Sequence, residues 1–281
     1  GEGGAVSEHD KVMRLRSELG EGTRNAEAFR WDPNDPESAV IVMYVHNRPD
    51  YFKQVLASLK EVKGISKAFL IVSMDGMYEE MVSAALSGLD FCLSRVIVHT
   101  KRQTMPHLQP LLAIKQHWAW LIRQVFEKQP ETAAWTRPVL FLEEDHQVSP
   151  DALTTMRSLE AMLPRCPGCS GITLRFGCGS KRASPAEKAA AYGRACAFDG
   201  FINTAYAFNR SVYEMVAGSS DNFWSFRDGW DWSLFHLMQE GRFPHRQLAP
   251  AVSRVKNIGV QGATVDAETA SRFLDYDLSD G

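Results

Sequence analysis

Glu143-Glu144-Asp145 directly follows the apolar run Val139-Leu140-Phe141-Leu142. Three adjacent carboxylates repel one another, so a strand that ends in them requires a compensating cation, strong hydrogen-bond donors or open solvent. Two readings meet that requirement. One is a solvated loop. The other is a divalent ion, because carboxylates are the hard oxygen ligands that Mg2+ and Mn2+ select, and such an ion also holds a diphosphate. The position behind a buried-looking strand in mid-chain favours the ion. Other groups with chemical potential end similar runs: His46-Asn47-Arg48 follows "AVIVMYV" and Asp75 follows "KAFLIVSM".

The elements that must position these groups alternate. "AVIVMYVHN" from Ala39, "KAFLIVSMDG", "SRVIVHT" and "PVLFLEEDH" are short, β-branched or apolar runs that predict strands. Pro49 suits the first turn of a helix continuing through "DYFKQVLASLKEV", "EEMVSAALSGL" is helical, and "LLAIKQHWAWLIRQVFEK" is a long amphipathic helix whose Trp118, Trp120 and Leu121 pack it onto the sheet. Strands alternating with helices imply an α/β fold with a mostly parallel sheet, in which ligands gather outside the carboxyl ends of the strands. The candidate residues all stand at such ends. Farther on, "PDALTTMRSLEAML" reads as a helix and "SGITLRFGCGSKRASPAEK" as a strand leading into a basic loop. "GFINTAYAFNRSVYEMV" reads as strand and helix, and "DGWDWSLFHLMQEG" as a helix. We expect a lead-in over 1–38 with a short helix around His9 to Leu19, and a nucleotide-sugar half over 39–163. An acceptor half over 164–265 and a tail over 266–281 follow, with a soft boundary near Leu163.

The 281 residues are 44% apolar, enough to bury a substantial core, and the net charge of -3 is spread without a basic stripe, which argues against a nucleic-acid partner. No run approaches the roughly 18 apolar residues of a membrane span, and the first residues lack a signal-peptide pattern, so any membrane anchor is expected outside this chain. Five cysteines (Cys92, Cys166, Cys169, Cys178 and Cys196) are too few for a disulfide scaffold, and their odd number leaves at least one unpaired in a monomer.

"VMYVHNRPDY", "FLEEDHQVSPD", "CPGC" and "GWDWSL" occur in an order and spacing that resembles the N-acetylglucosaminyltransferases of complex N-glycan synthesis, over roughly residues 40–262. The resemblance implies a GT-A glycosyltransferase fold. It further implies an inverting, beta-1,2-N-acetylglucosaminyltransferase-like enzyme that uses UDP-GlcNAc with Mn2+ (or Mg2+) and transfers the sugar to a mannose-containing glycan acceptor. Asp145 falls on the family's metal carboxylate, with Glu143 and Glu144 beside it on the sugar-nucleotide side. His46, Asn47 and Arg48 fall on the loop around uracil and ribose, Asp75 on a further donor contact, and Lys115, Gln116 and His117 on a donor-facing helix start. Lys181 or Arg182 falls where the family has an arginine near the diphosphate.

Inverting transfer in one displacement needs a base for the acceptor hydroxyl. The family pattern places it at Asp231, between Trp230 and Trp232, indoles expected to exclude water and offer a sugar ring a surface. Helix capping is the ordinary job of an aspartate there, and Asp228 is better placed for it. The resemblance also matches Cys166 with Cys169 to a local disulfide, and implies a Golgi-lumenal domain of a type II membrane protein. It fails at Asn257, where the family has a metal-ligating histidine just before a glycine; an amide oxygen also coordinates Mn2+. A family cysteine loop is shortened here to "HTKRQTMPHL". Two alternatives therefore stand beside the leading one: a GT-A transferase with a different UDP-sugar or acceptor, and a non-catalytic carbohydrate-binding relative.

Overall fold

The computed structural model describes residues 7–260, apart from 106, 176, 177 and 179–183. Ser7 opens α1 (Glu8–Leu19) by accepting the Asp10 N–H. The expected alternation follows: β1 (Ala39–Val45), α2 (Pro49–Lys60), β2 (Ala68–Asp75), α3 (Glu79–Gly88) and β3 (Leu93–His99). A short α4 (Lys101–Thr104) leads to α5 (Pro110–Arg123), which relaxes into a π-turn at Gln124–Lys128, and then to β4 (Val139–Glu143). Next come β5 (His146–Val148), α6 (Ala152–Glu160), β6 (Cys169–Thr173), α7 (Pro185–Ala191), β7 (Ala195–Asp199) and β8 (Tyr206–Phe208). The described chain closes with α8 (Arg210–Gly218), α9 (Ser220–Ser225), α10 (Trp230–Gln239), β9 (Arg246–Pro250) and β10 (Val255–Asn257). Among the described residues, no helix is long and apolar enough to cross a membrane.

Eight strands share one sheet in the order β3-β2-β1-β4-β8-β6-β9-β7. β3, β2, β1 and β4 are mutually parallel, whereas β8 runs antiparallel to both β4 and β6. β6 and β9 are parallel, and β7 closes the far edge antiparallel to β9. This is the mostly parallel α/β sheet that the alternating elements predicted. It continues without interruption across the boundary expected near Leu163.

Alternation along β1 shows why the sheet is a middle layer. Ile41, Met43 and Val45 enter one core with Phe52 and Val55 of α2, Met81 of α3 and Met156 of α6. Val40, Val42 and Tyr44 enter the other with Trp118 of α5, Val212 of α8 and Leu234 of α10. Every residue of β1 and β2 is buried, as expected of parallel strands covered on both faces.

Three regions differ from the sequence expectation. The segment before β1 packs closely: Leu15 and Leu19 join the core, Trp31 lies against Phe69 and Trp135, and Arg24 bridges to Ser94 on the outer edge of β3. Edge strands need such cover. The basic loop gives way to α7, because Ser184 and Glu187 form a reciprocal capping box ahead of an alanine-rich turn. Finally, β5 and β10 form a separate two-stranded antiparallel ribbon.

Candidate active site

The parallel strands end level with one another: Tyr44 pairs with Glu143, Val45 with Met74, and Asp75 with His99. His46, Asp75, His99 and Glu143-Glu144-Asp145 therefore share one edge. Asp75 is buried and tightly held. Its carboxylate accepts from Arg102 Nε at 2.8 Å and pairs with His99 Nδ1 at 2.9 Å, while its backbone oxygen meets His46 Nδ1 at 2.8 Å. Arg102 Nη1 lies 3.0 Å from His46 Nε2. A guanidinium only donates, so His46 accepts at Nε2 and carries its proton on Nδ1. Burial lowers the His46 pKa, and the Arg102 charge adds to that, so the ring is neutral at pH 7. For Asp75, burial raises the pKa, but the His99 hydrogen bond and the Arg102 charge outweigh it and hold the carboxyl below its usual range. His117 bonds Ser73 Oγ at 2.7 Å and stacks on His99, and burial pushes it down to about 3.

At the end of β4, Glu144 is buried and accepts from the His46 N–H and from Arg48 Nε. Arg48 Nη1 also reaches Asp145 Oδ2 at 2.8 Å. Burial alone would lower the Arg48 guanidinium, but the carboxylates of Asp145 and Glu144 more than offset this and raise it. Glu143 receives Tyr44 OH at 3.1 Å and is pushed up to about 8 by burial and by the Asp145 charge.

The other oxygen of Asp145, Oδ1, is buried and has no hydrogen-bond partner among the described residues. Glu143, Asp145 and His146 offer ligand atoms within 4.8 Å of one another. His146 is committed elsewhere, because its Nδ1 accepts the Glu143 N–H at 3.0 Å, and burial pushes its pKa down to about 4. The neutral ring then carries its proton on Nε2, 3.9 Å from Asp145 Oδ1, so His146 supports the carboxylate rather than offering a lone pair.

The ribbon brings in a second oxygen. Asn257 stands opposite His146, and the Ile258 N–H bonds the Asp145 backbone oxygen at 2.9 Å. A Cβ on Gly259 would lie 2.2 Å from Asp145 Oδ2 and 3.2 Å from Asn257 Oδ1, so only glycine keeps the space between these oxygens open. The orphaned Asp145 Oδ1, the close approach of Gly259 to Asp145 Oδ2, and the Asn257 amide oxygen, which accepts the Gly259 N–H at 2.8 Å, make an oxygen-rich setting that fits a hard divalent ion.

Asp231 lies in the first turn of α10, where Asn203 Nδ2 donates to its Oδ2 at 3.0 Å. Its neighbours are not the enclosing pair expected. Trp230 is buried, stacked on Trp118 at 4.7 Å, while Trp232 is 58% exposed. The reason is helical: adjacent residues face about 100° apart, so both indoles cannot cover the residue between them. Asp228 does not cap α10; Gly229 occupies that position and Asp228 pairs with His236 at 3.0 Å. The strand edge and the Asp231 region meet at Tyr206. Its hydroxyl accepts from Trp118 Nε1 at 2.6 Å, and burial, with the charges of Glu143 and Asp231, raises its pKa.

The remaining sequence candidates scatter. Lys115 turns away from the strand edge, where its ammonium donates to Phe223 O, Phe226 O and Ser233 Oγ at 2.7–2.8 Å, tying α5 to α9 and α10. Gln116 Oε1 is buried with no hydrogen-bond partner among the described residues, and Asn47 is exposed. Lys181 and Arg182 lie outside the described residues. His99 and Arg102 were missed, although the rule that placed Asp75 applies equally to His99, the last residue of β3; Trp120, expected to pack α5 onto the sheet, does so against His99 at 5.1 Å. Cys166 and Cys169 form the expected disulfide, Cys178 pairs with Cys196, and Cys92 is a buried free thiol.

The family model described as N-acetylglucosaminyltransferase II (MGAT2) matches residues 17–110 and 102–274. The Arabidopsis thaliana alpha-1,6-mannosyl-glycoprotein 2-beta-N-acetylglucosaminyltransferase is 30% identical over 70% of this chain and 52% of its own length. The Homo sapiens protein of that name is 25% identical over 72% of this chain and 54% of its own. The chain thus spans about half the length of these relatives. Among solved structures, a mannosyltransferase from Pyrobaculum calidifontis, described in complex with GDP-Man and Mn2+, is 12% identical, with 90% of this chain and 65% of that chain covered at a TM-score of 0.47.

Proposed function

The chain belongs to the N-acetylglucosaminyltransferase II family, and from that premise we propose that it is a metal-dependent inverting transferase moving GlcNAc from UDP-GlcNAc to a mannose-containing glycan. The observation that carries this reading is the buried Asp145 carboxylate, whose Oδ1 has no hydrogen-bond partner among the described residues and whose Oδ2 faces Gly259 next to Asn257 Oδ1, at the edge where β1, β2 and β4 also end.

In this reading Asp145 and Asn257 hold Mn2+ or Mg2+, which would neutralise the charge gathering on the departing diphosphate. His46, Asp75 and Arg102 form a prearranged wall for the nucleoside, with the protons of His46 fixed by its two neighbours. Glu144 holds Arg48 and the His46 backbone in place. Asp231 accepts the proton of the acceptor hydroxyl as its oxygen bonds the anomeric carbon and UDP departs with the electron pair of the broken bond. The donor half is then 39–163 and the acceptor half 164–265, in a Golgi lumenal setting.

Thermal shift with UDP, with and without Mn2+, tests the donor site: stabilisation should need both. Turnover, followed as UDP release from UDP-GlcNAc with a mannose-terminated oligosaccharide, should fall about a thousandfold in Asp231→Asn while that shift persists. Stabilisation by UDP that ignores Mn2+, or full turnover in Asp231→Asn, would refute the corresponding part.

A further inference from the structure

We propose that Asn203 is a positioning residue that fixes the Asp231 carboxylate through its side-chain amide, an inference that rests on Asp231 being the base. Asn203 Nδ2 donates to Asp231 Oδ2 at 3.0 Å. One carboxylate oxygen is thereby tied down, which sets the plane of the group and directs the other oxygen. A base held by a single χ2 rotor samples many planes, because terminal sp3–sp2 torsions are broad. A hydrogen bond from a rigid neighbour removes that freedom before substrate arrives.

The backbone around Asn203 is built for such rigidity. The Ile202 N–H donates to Gln247 Oε1 at 2.6 Å and Gln247 Nε2 returns to Ile202 O at 3.4 Å, from a side chain that is 1% exposed on β9. On the other side, Thr173 Oγ1 donates to Thr204 O at 2.9 Å and Leu174 N to Ala205 O at 2.9 Å. Ala205 sits at φ +46°, an uncommon conformation for a residue with a side chain. Strain of this kind persists where surrounding contacts over-determine the backbone, and it concentrates at functional positions. Residues 202, 204 and 205 are each pinned to β6, β9 or the turn after β6. Asn203, held between them, reaches Asp231 of α10.

The test combines kinetics with a structure. In Asn203→Ala, kcat should fall about ten- to a hundredfold, while the KM for UDP-GlcNAc and the melting temperature stay at wild-type values. Asn203→Asp keeps the shape but replaces the donor with a like charge, so its loss should be at least as large; a packing role would spare it. In an Asp231→Asn background, adding Asn203→Ala should cost nothing further, because the two act as a unit. Crystals of Asn203→Ala should show the Asp231 carboxylate rotated or split, a readout independent of turnover. Wild-type kcat in either Asn203 variant, with Asp231→Asn inactive, overturns the positioning role alone, as does an unchanged Asp231 rotamer. Full turnover in Asp231→Asn removes the base and this role with it.

Discussion

The two sides of the proposed active site, the strand-edge donor side and the Asp231 acceptor side, are built on opposite principles. On the donor side, Asp75, Glu144 and Asp145 are buried and each meets a cation: Arg102 for the first, Arg48 for the other two. On the acceptor side, Asp231 has one neutral hydrogen bond and an exposed indole next to it. Buried carboxylates must be matched at once, so the donor edge is a prepaid network that suits one fixed ligand charge. A half-open aspartate beside an aromatic ring imposes shape more than charge, leaving acceptor choice to the surrounding loops.

The strongest way to break this contrast is Asp145→Asn. It removes the oxygen that has no other partner, and we expect the Mn2+-dependent part of the UDP thermal shift to vanish with turnover, by about a thousandfold or more. Arg102→Ala comes next. It leaves Asp75 buried with a cation missing, which should cost about 3 kcal/mol in urea unfolding and weaken UDP binding. A loss below about 1 kcal/mol would mean the network is less coupled than its geometry.

His117 adds a pH signature to the donor side only. Burial holds its folded pKa near 3, against about 6.5 in an unfolded chain. As pH falls below about 6.5 the unfolded chain takes up a proton that the fold refuses, so stability is progressively lost toward pH 3. His117→Asn should flatten that decline, read as a smaller drop in urea midpoint between pH 7 and pH 4.5. The smallest effect is expected on the acceptor side. Trp232→Ala should raise the acceptor KM about fivefold, equivalent to about 1 kcal/mol, with stability changed by less than about 0.5 kcal/mol.

The clustering at the proposed donor side was legible because its candidate residues and its secondary structure share one signal. His46, Asp75 and Glu143-Glu144-Asp145 each lie at the end of an apolar or β-branched run, and parallel strands put such ends together; His99 ends β3 in the same way but was not singled out. Lys115 was misleading for a physical reason. Neighbouring residues on α5 point in different directions, and nothing in "IKQHW" shows that one of them reaches α9 and α10. The ribbon was invisible because each strand is three residues long, below any periodicity that could announce it. Asn203 was hidden as well, since it depends on Gln247, 44 positions away, whose amide imitates a neighbouring strand.

That ribbon also governs when the centre comes into being. Asp145 meets Asn257 only after β10 has docked on β5, across more than a hundred residues of intervening chain. Contacts of such sequence separation form late. The edge formed by the ends of β1 to β4 can assemble without β10, whereas the proposed cation site cannot, so a chain cut before β10 would lack that site even if those strands had paired.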